Sequence, residues 1–140
     1  LLTADGVRSS VRAAALRLDL LVLGYRGRCS GTAYTLPLSW ASADGRLYLC
    51  TRDSRWVRNL AGGAPVDVVL RGVPQRGTAR VLPASDPEAL VGFRAFVTKH
   101  PRTGALLYEV PRRPNGPRED DLVRELARSV VVVVDGVRVS

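Results

Sequence analysis

Two short segments of this chain collect residue types that could hold an anion or an anionic cofactor. The first is Arg26-Gly27-Arg28-Cys29-Ser30-Gly31. Two guanidiniums, a hydroxyl and backbone N–H groups loosened by glycine can together cradle a phosphate. Arginine suits this task through planar, bidentate hydrogen bonding. The same composition also describes a solvated turn between two strands. The second segment is Thr51-Arg52-Asp53-Ser54-Arg55-Trp56-Val57-Arg58-Asn59-Leu60. It reads as a strand end running into a helix N-terminus, where backbone donors and the helix dipole favour an anion. Trp56 could lie against a flat ring there, or fill the core from a helix stripe.

Groups for self-sufficient acid–base or nucleophilic chemistry are scarce. There is no Gly-x-Ser-x-Gly elbow, and the single histidine, His100, stands before a proline. No Walker A loop occurs, and Gly24, Gly27 and Gly31 do not make the dinucleotide fingerprint. Asp120-Asp121 sits at a helix start, where capping accounts for it. Two cysteines, one histidine and no methionine are too few for an ordinary structural zinc site, so no metal is expected. Any reaction would then be carried by a bound cofactor, with the protein supplying binding and orientation. Tyr25, Tyr34 and Tyr48 remain candidate proton donors, and no catalytic residue is assigned.

The charge is consistent with an anionic ligand. The 140 residues, the size of one domain, carry 21 basic and 13 acidic side chains, a formal charge of +8. All the basic residues except Lys99 are arginines. They are spread from Arg8 to Arg138 with no run longer than two. Neither a zinc-finger spacing nor an RNA-recognition signature accompanies them, so no nucleic-acid partner is expected. No apolar run approaches the roughly 20 residues that span a bilayer. The N-terminus lacks a secretory pattern. A reducing cytoplasm, with Cys29 and Cys50 as free thiols, is therefore expected.

The elements that must position the two segments follow from periodicity and punctuation. Residues 3–17 read as a basic helix with an alanine-rich stripe of Val7, Val11, Ala14, Ala15 and Leu18. Such a helix can touch a membrane surface or pack on its own domain, and the weak stripe favours packing. The domain then divides as an N-terminal helix, 1–18, and a cofactor-binding body, 19–140. Leu18–Gly24 predicts a strand. Tyr34–Trp40 alternates as another, and Asp44-Gly45 signals a hairpin that pairs it with Arg46–Thr51. A short helix follows, capped by Asp53 or Ser54 and carrying Trp56, Val57 and Leu60 inward. Pro65–Arg71 and Gln75–Leu82 predict two more strands. Ser85 with Glu88 resembles a capping box ahead of a helix that reaches about Lys99 and buries Leu90, Phe93, Phe96 and Val97. Four prolines and two glycines make 100–118 mostly loop. Glu119–Arg128 is a last helix, and Val130–Val134 a strand buried on both faces. Six strands linked largely by hairpins predict an α+β fold with a mainly antiparallel sheet closing into a small barrel.

Taken in order, Gly27-Arg28-Cys29-Ser30-Gly31, Pro37-Leu38, Asp44-Gly45 and Trp56-Val57-Arg58-Asn59-Leu60 resemble the motifs of the flavin and deazaflavin split-barrel oxidoreductases. Ala79-Arg80 and the valine strand extend the likeness over about Leu20 to Val134. The similarity is strongest to the deazaflavin-dependent nitroreductase and quinone-reductase branch found in actinobacteria. It implies a six-stranded split barrel with flanking helices that binds coenzyme F-420 and passes hydride to a quinone, a nitro compound or an activated alkene. Arg28, Ser30 and Gly31 would hold the cofactor's phosphate or acidic tail. Pro37 and Leu38 would border its ring, Thr51 and Arg52 would lie near the phosphate, and Trp56 would cover the ring. Asn59 would fix the helix.

The sequence departs from the family where Cys29 and Tyr34 replace basic residues, and where Arg52-Asp53-Ser54-Arg55 shortens a glycine-rich stretch. That shorter form resembles the split barrels binding flavin mononucleotide, the alternative cofactor. A non-catalytic carrier of a deazaflavin, haem or lipid is the other alternative, and the resemblance admits a monomer or a homodimer.

Overall fold

The structure is a computed structural model that describes residues 9–52 and 55–139. The first part of the expected N-terminal helix and the expected cap at Asp53 or Ser54 lie outside those residues. The described chain runs α1 (Ser9–Arg17), β1 (Leu21–Arg26), β2 (Ala33–Leu38), β3 (Ala41–Ala43) and β4 (Arg46–Thr51). A 3-10 helix (Trp56–Leu60) follows, then β5 (Ala64–Leu70), β6 (Val73–Leu82), α2 (Pro87–Lys99), α3 (Pro101–Leu107), α4 (Glu119–Leu126) and β7 (Val130–Asp135).

The seven strands form one sheet in the order β2-β1-β5-β6-β7-β4-β3, with every neighbouring pair antiparallel. Its two edge strands are consecutive in the chain, since only Ser39 and Trp40 separate β2 from β3. So short a link spans about 10 Å at most. The sheet must therefore curl until its edges meet at that corner, which gives an α+β half-barrel.

Seven strands stand where six were expected, and the difference lies at this corner. Tyr34–Trp40 is not one strand paired with Arg46–Thr51. Its first part pairs with β1, from Leu21↔Leu38 to Arg26↔Ala33. The chain then turns, and only Ala41–Ala43 pairs with β4. Trp40 pins the turn: it is buried, and its indole N–H donates to the Asp19 carbonyl at 3.1 Å. The Asp44-Gly45 hairpin forms as expected between Ala43 and Arg46, with φ of 53° and 76°. Two positive φ values mark the primed turn whose twist suits a two-residue hairpin.

Strand alternation builds two apolar layers. Leu21 and Leu23, Leu47 and Leu49, Val66 and Val68, and Val132 and Val134 point into the barrel, joined by Val57 and Leu60 of the 3-10 helix. Tyr48, Cys50, Val131 and Val133 point out beneath Phe93, Phe96 and Val97 of α2 and Leu122 and Leu126 of α4. Ala15 of α1 covers Val22 and Val69. The five-valine run thus fills both layers from one strand, as a strand covered on both faces should.

Three helix boundaries differ from the sequence reading. Asp86, not Ser85, caps α2, accepting the Glu88 N–H at 2.9 Å. Glu88 is drawn away from a capping box by the Tyr48 hydroxyl at 2.8 Å and Arg46 at 2.5 Å. Residues 101–107 are helical rather than loop, because Pro101 occupies a first turn, where proline is tolerated. The last helix stops at Leu126 rather than Arg128.

Gly92 lets α2 lie directly on the sheet. A Cβ there would stand 2.5 Å from Cδ1 of Tyr48. That ring is buried and tethered by its hydroxyl, so it cannot swing aside. Gly92→Ala is expected to cost about 1–3 kcal/mol, in the range of other overpacked cores. A urea melt with an unchanged midpoint would show that α2 simply rides up.

Candidate functional site

The first sequence segment becomes the six-residue turn between β1 and β2. Gly27 N–H donates to the Thr32 carbonyl at 2.7 Å and Gly31 N–H to the Gly27 carbonyl at 2.8 Å. Arg26 braces the turn by donating from Nη1 to the Gly31 carbonyl at 2.9 Å. Ser30 Oγ accepts the Thr32 N–H at 3.1 Å, which leaves its own hydroxyl proton available.

Asn59 joins this turn to the 3-10 helix. Its Oδ1 accepts the Arg28 N–H at 2.8 Å, and its Nδ2 donates to the Trp56 carbonyl at 3.0 Å. Asn59 therefore ties the two sequence segments together, across 31 residues of chain. Between them opens a groove of about 460 Å³, whose walls include Arg28, Ser30, Tyr34, Arg55 and Trp56. Gly27 lies beneath it, and a Cβ there would stand 2.7 Å from Ser30 Oγ and 3.1 Å from Cε2 of Tyr34, so Ser30 would have to shift.

The groove is basic by local arrangement as well as by composition. None of its described lining residues is acidic. Among the described residues, nothing partners the exposed Arg28 guanidinium, since only the Arg28 backbone is engaged. Many arginines elsewhere are engaged by carboxylates. Arg46 and Arg80 share Glu88 and Asp135. Arg113 and Arg124 hold the buried Asp121, and Arg52, Arg124 and Arg128 converge on the buried Glu125. These guanidiniums keep the Asp121, Glu125 and Asp135 carboxyls below their ordinary range, chiefly through hydrogen bonds.

Of the residues singled out in the sequence, Arg28, Ser30 and Trp56 come together at the groove and Gly31 shapes its turn. Arg52 does not join them. It turns to the other face, donating from Nη2 to the Tyr108 carbonyl at 2.5 Å and to Glu125 at 3.0 Å. Thr51 is paired in register with Val130 at the end of β4. Pro37 and Leu38 lie further along β2, opposite Val22 and Leu21, outside the groove's lining. Tyr48 leaves the set of candidate donors: its phenol is buried under α2, and burial with the bond to Glu88 pushes it up to about 12.

Residues that the sequence did not bring to this site are Tyr25 and Tyr34 as walls. They face each other in register across the β1–β2 hairpin, with ring centroids 5.5 Å apart and planes 27° from parallel. Tyr25 also lies 6.3 Å from Trp56. Burial, then the neighbouring Tyr34, raises the Tyr25 phenol above its ordinary range. The signal was present in the spacing: two tyrosines stand equidistant from the middle of a hairpin turn.

The curled antiparallel sheet, with its hairpin turn and 3-10 helix, is shared as a fold by several solved structures at low sequence identity. A domain-swapped dimer matches at TM-score 0.59 and 16% identity, over 90% of this chain and 97% of the other. An F-420-H2-dependent reductase (FDR-A) matches at TM-score 0.58 and 17% identity, over 84% and 94%. A FAD- and haem-binding protein from Mycobacterium smegmatis matches at TM-score 0.51 and 16% identity, over 96% and 68%. No protein-family model and no curated protein matches the sequence. The chain thus shares its fold with these proteins. Among the described residues, no helix is long and apolar enough to cross a membrane.

Proposed function

We propose that this chain is an oxidoreductase that binds an anionic deazaflavin of the coenzyme F-420 type in the groove, for hydride transfer to an electron-poor small molecule. The acceptor class is a quinone, a nitro compound or an activated alkene. The observation that carries the reading is the pairing of the Arg28 guanidinium, without a partner among the described residues, with aromatic walls in a groove free of described acidic residues. That donor set fits a flat ring bearing a phosphate or carboxylate tail. When bound, the cofactor supplies the hydride from its reduced ring.

The chain's own residues do the holding. Arg28 and the Ser30 hydroxyl take the anionic tail, and Gly31 keeps the turn's backbone in place. Asn59 fixes the Arg28 backbone and so the direction from which its side chain reaches the groove. Trp56 covers one side of the ring. Arg52 acts at a distance, through its anchorage of the β4 end to Glu125. Such an arrangement accelerates transfer by fixing donor and acceptor at near-attack distance, with no covalent nucleophile.

Fluorescence titration of the purified chain with oxidised deazaflavin, and separately with flavin mononucleotide, tests this. Saturable deazaflavin binding, followed by oxidation of the reduced form on adding menadione or a nitroimidazole, is expected. Tighter flavin mononucleotide binding with turnover would reassign the cofactor. Binding without turnover would make the chain a carrier, and no binding of either would sink both enzyme readings.

A further inference from the structure

We propose that Tyr34 is the residue that selects for a flat ring in this groove, its exposed face forming a stacking platform that Tyr25 stiffens from behind. The inference rests on the cofactor reading above and deepens it.

Tyr34 stands on β2, an edge strand, and is 45% exposed, unlike the buried aromatic residues Trp40, Tyr48 and Phe93. An exposed aromatic ring lining a groove beside a guanidinium offers its face to a flat ligand. Here it is also held in place. Tyr25 stacks against it and lies near Trp56, so the three rings form a continuous aromatic wall beside Arg28. Tyr25 and Trp56 anchor that wall by packing partly on the barrel core. The platform is therefore fixed before a ligand arrives, which lowers the ordering cost of binding. Keeping Tyr25 a neutral phenol preserves an uncharged face. The groove thus has two parts: a ring subsite around Tyr34 and Trp56, and an anion subsite at Arg28.

The two parts are separable with riboflavin, which has the ring without a phosphate, and flavin mononucleotide, which has both. Tyr34→Ala is expected to weaken both ligands by about tenfold, the lower part of the range for loss of one stacking aromatic. Tyr34→Phe should restore both affinities, because the ring and not the hydroxyl does the work. Iodide quenching of Trp56, the less buried of the two tryptophans, should be relieved by either ligand in the wild type. Because Tyr34 is exposed on an edge strand, Tyr34→Ala should melt like the wild type, so lost affinity will not reflect unfolding. Unchanged affinity of Tyr34→Ala for both ligands would overturn the platform while leaving the cofactor reading intact. Failure of the wild type to bind riboflavin, flavin mononucleotide and deazaflavin alike would overturn both.

Discussion

Arg28→Ala is expected to weaken deazaflavin or flavin mononucleotide binding by about 10- to 100-fold while moving the thermal midpoint little. The affinity loss follows from removing charge-assisted hydrogen bonds to a phosphate or carboxylate, each contributing about 1.5–3 kcal/mol, with tenfold per 1.4 kcal/mol. The unchanged midpoint follows from the side chain's surroundings. Arg28 is exposed, and no described residue partners its guanidinium, so the folded state loses almost nothing. Surface changes of this kind usually stay within about 0.5 kcal/mol. Its backbone N–H still bonds Asn59, so the turn keeps its shape. Arg28→Lys should recover part of the affinity only, because an ammonium is a point charge without the planar fork. The wild-type dissociation constant should also rise with salt, as expected where an exposed cation meets an anion. Isothermal titration beside a thermal melt checks both halves. An unchanged dissociation constant in Arg28→Ala would remove Arg28 from the site.

Arg52, expected beside the cofactor, instead lies away from the groove that holds Arg28. Both arginines belong to segments that looked alike: a basic cluster beside a turn or a helix start. What separates them is the partner, and the partner of Arg52 is 73 residues away on α4. Glu125 is nearly inaccessible to solvent, and a buried carboxylate demands cationic partners. Nothing in the local sequence marks Glu125 as buried, because α4 reads as an ordinary charged helix. The elements that were legible are those set by local chemistry. The valine run, the Asp44-Gly45 hairpin and the β5–β6 pairing needed only alternation and turn residues. The β2–β3 corner was not legible, because an unbroken alternation from Tyr34 to Trp40 carries no sign that the strand changes partner. Half of the candidate site was visible for the same reason. Arg28, Ser30 and Trp56 stand in motifs, whereas Tyr25 and Tyr34 meet only once the hairpin register is known.

The two tryptophans divide the labour that composition alone could not assign, and Trp40 carries the larger stability effect. Trp40→Ala is expected to cost about 3–5 kcal/mol, the range for removing a large core aromatic. Such a loss is a large part of the roughly 5–15 kcal/mol that typically holds a domain together. The ring is only 2% exposed and closes the corner where the sheet's edges meet. Its indole N–H holds Asp19, and its carbonyl meets Nε2 of His100 at 2.8 Å. The Lys99 ammonium lies 3.2 Å from the ring centroid and the Arg71 guanidinium carbon 4.9 Å away. Truncation leaves those two cations without the ring that balances them, so the cavity is not the whole cost. Trp40→Phe should recover much of the packing but lose the bond to Asp19, and so fall between the two in a urea melt. Trp56 packs only partly against the core and lines the groove instead. Its truncation should therefore disturb ligand binding more than Trp40→Phe does, and folding less than Trp40→Ala does. A Trp40→Ala variant that melted with the wild type would mean that the β2–β3 corner is held by the pairing of β3 with β4 alone.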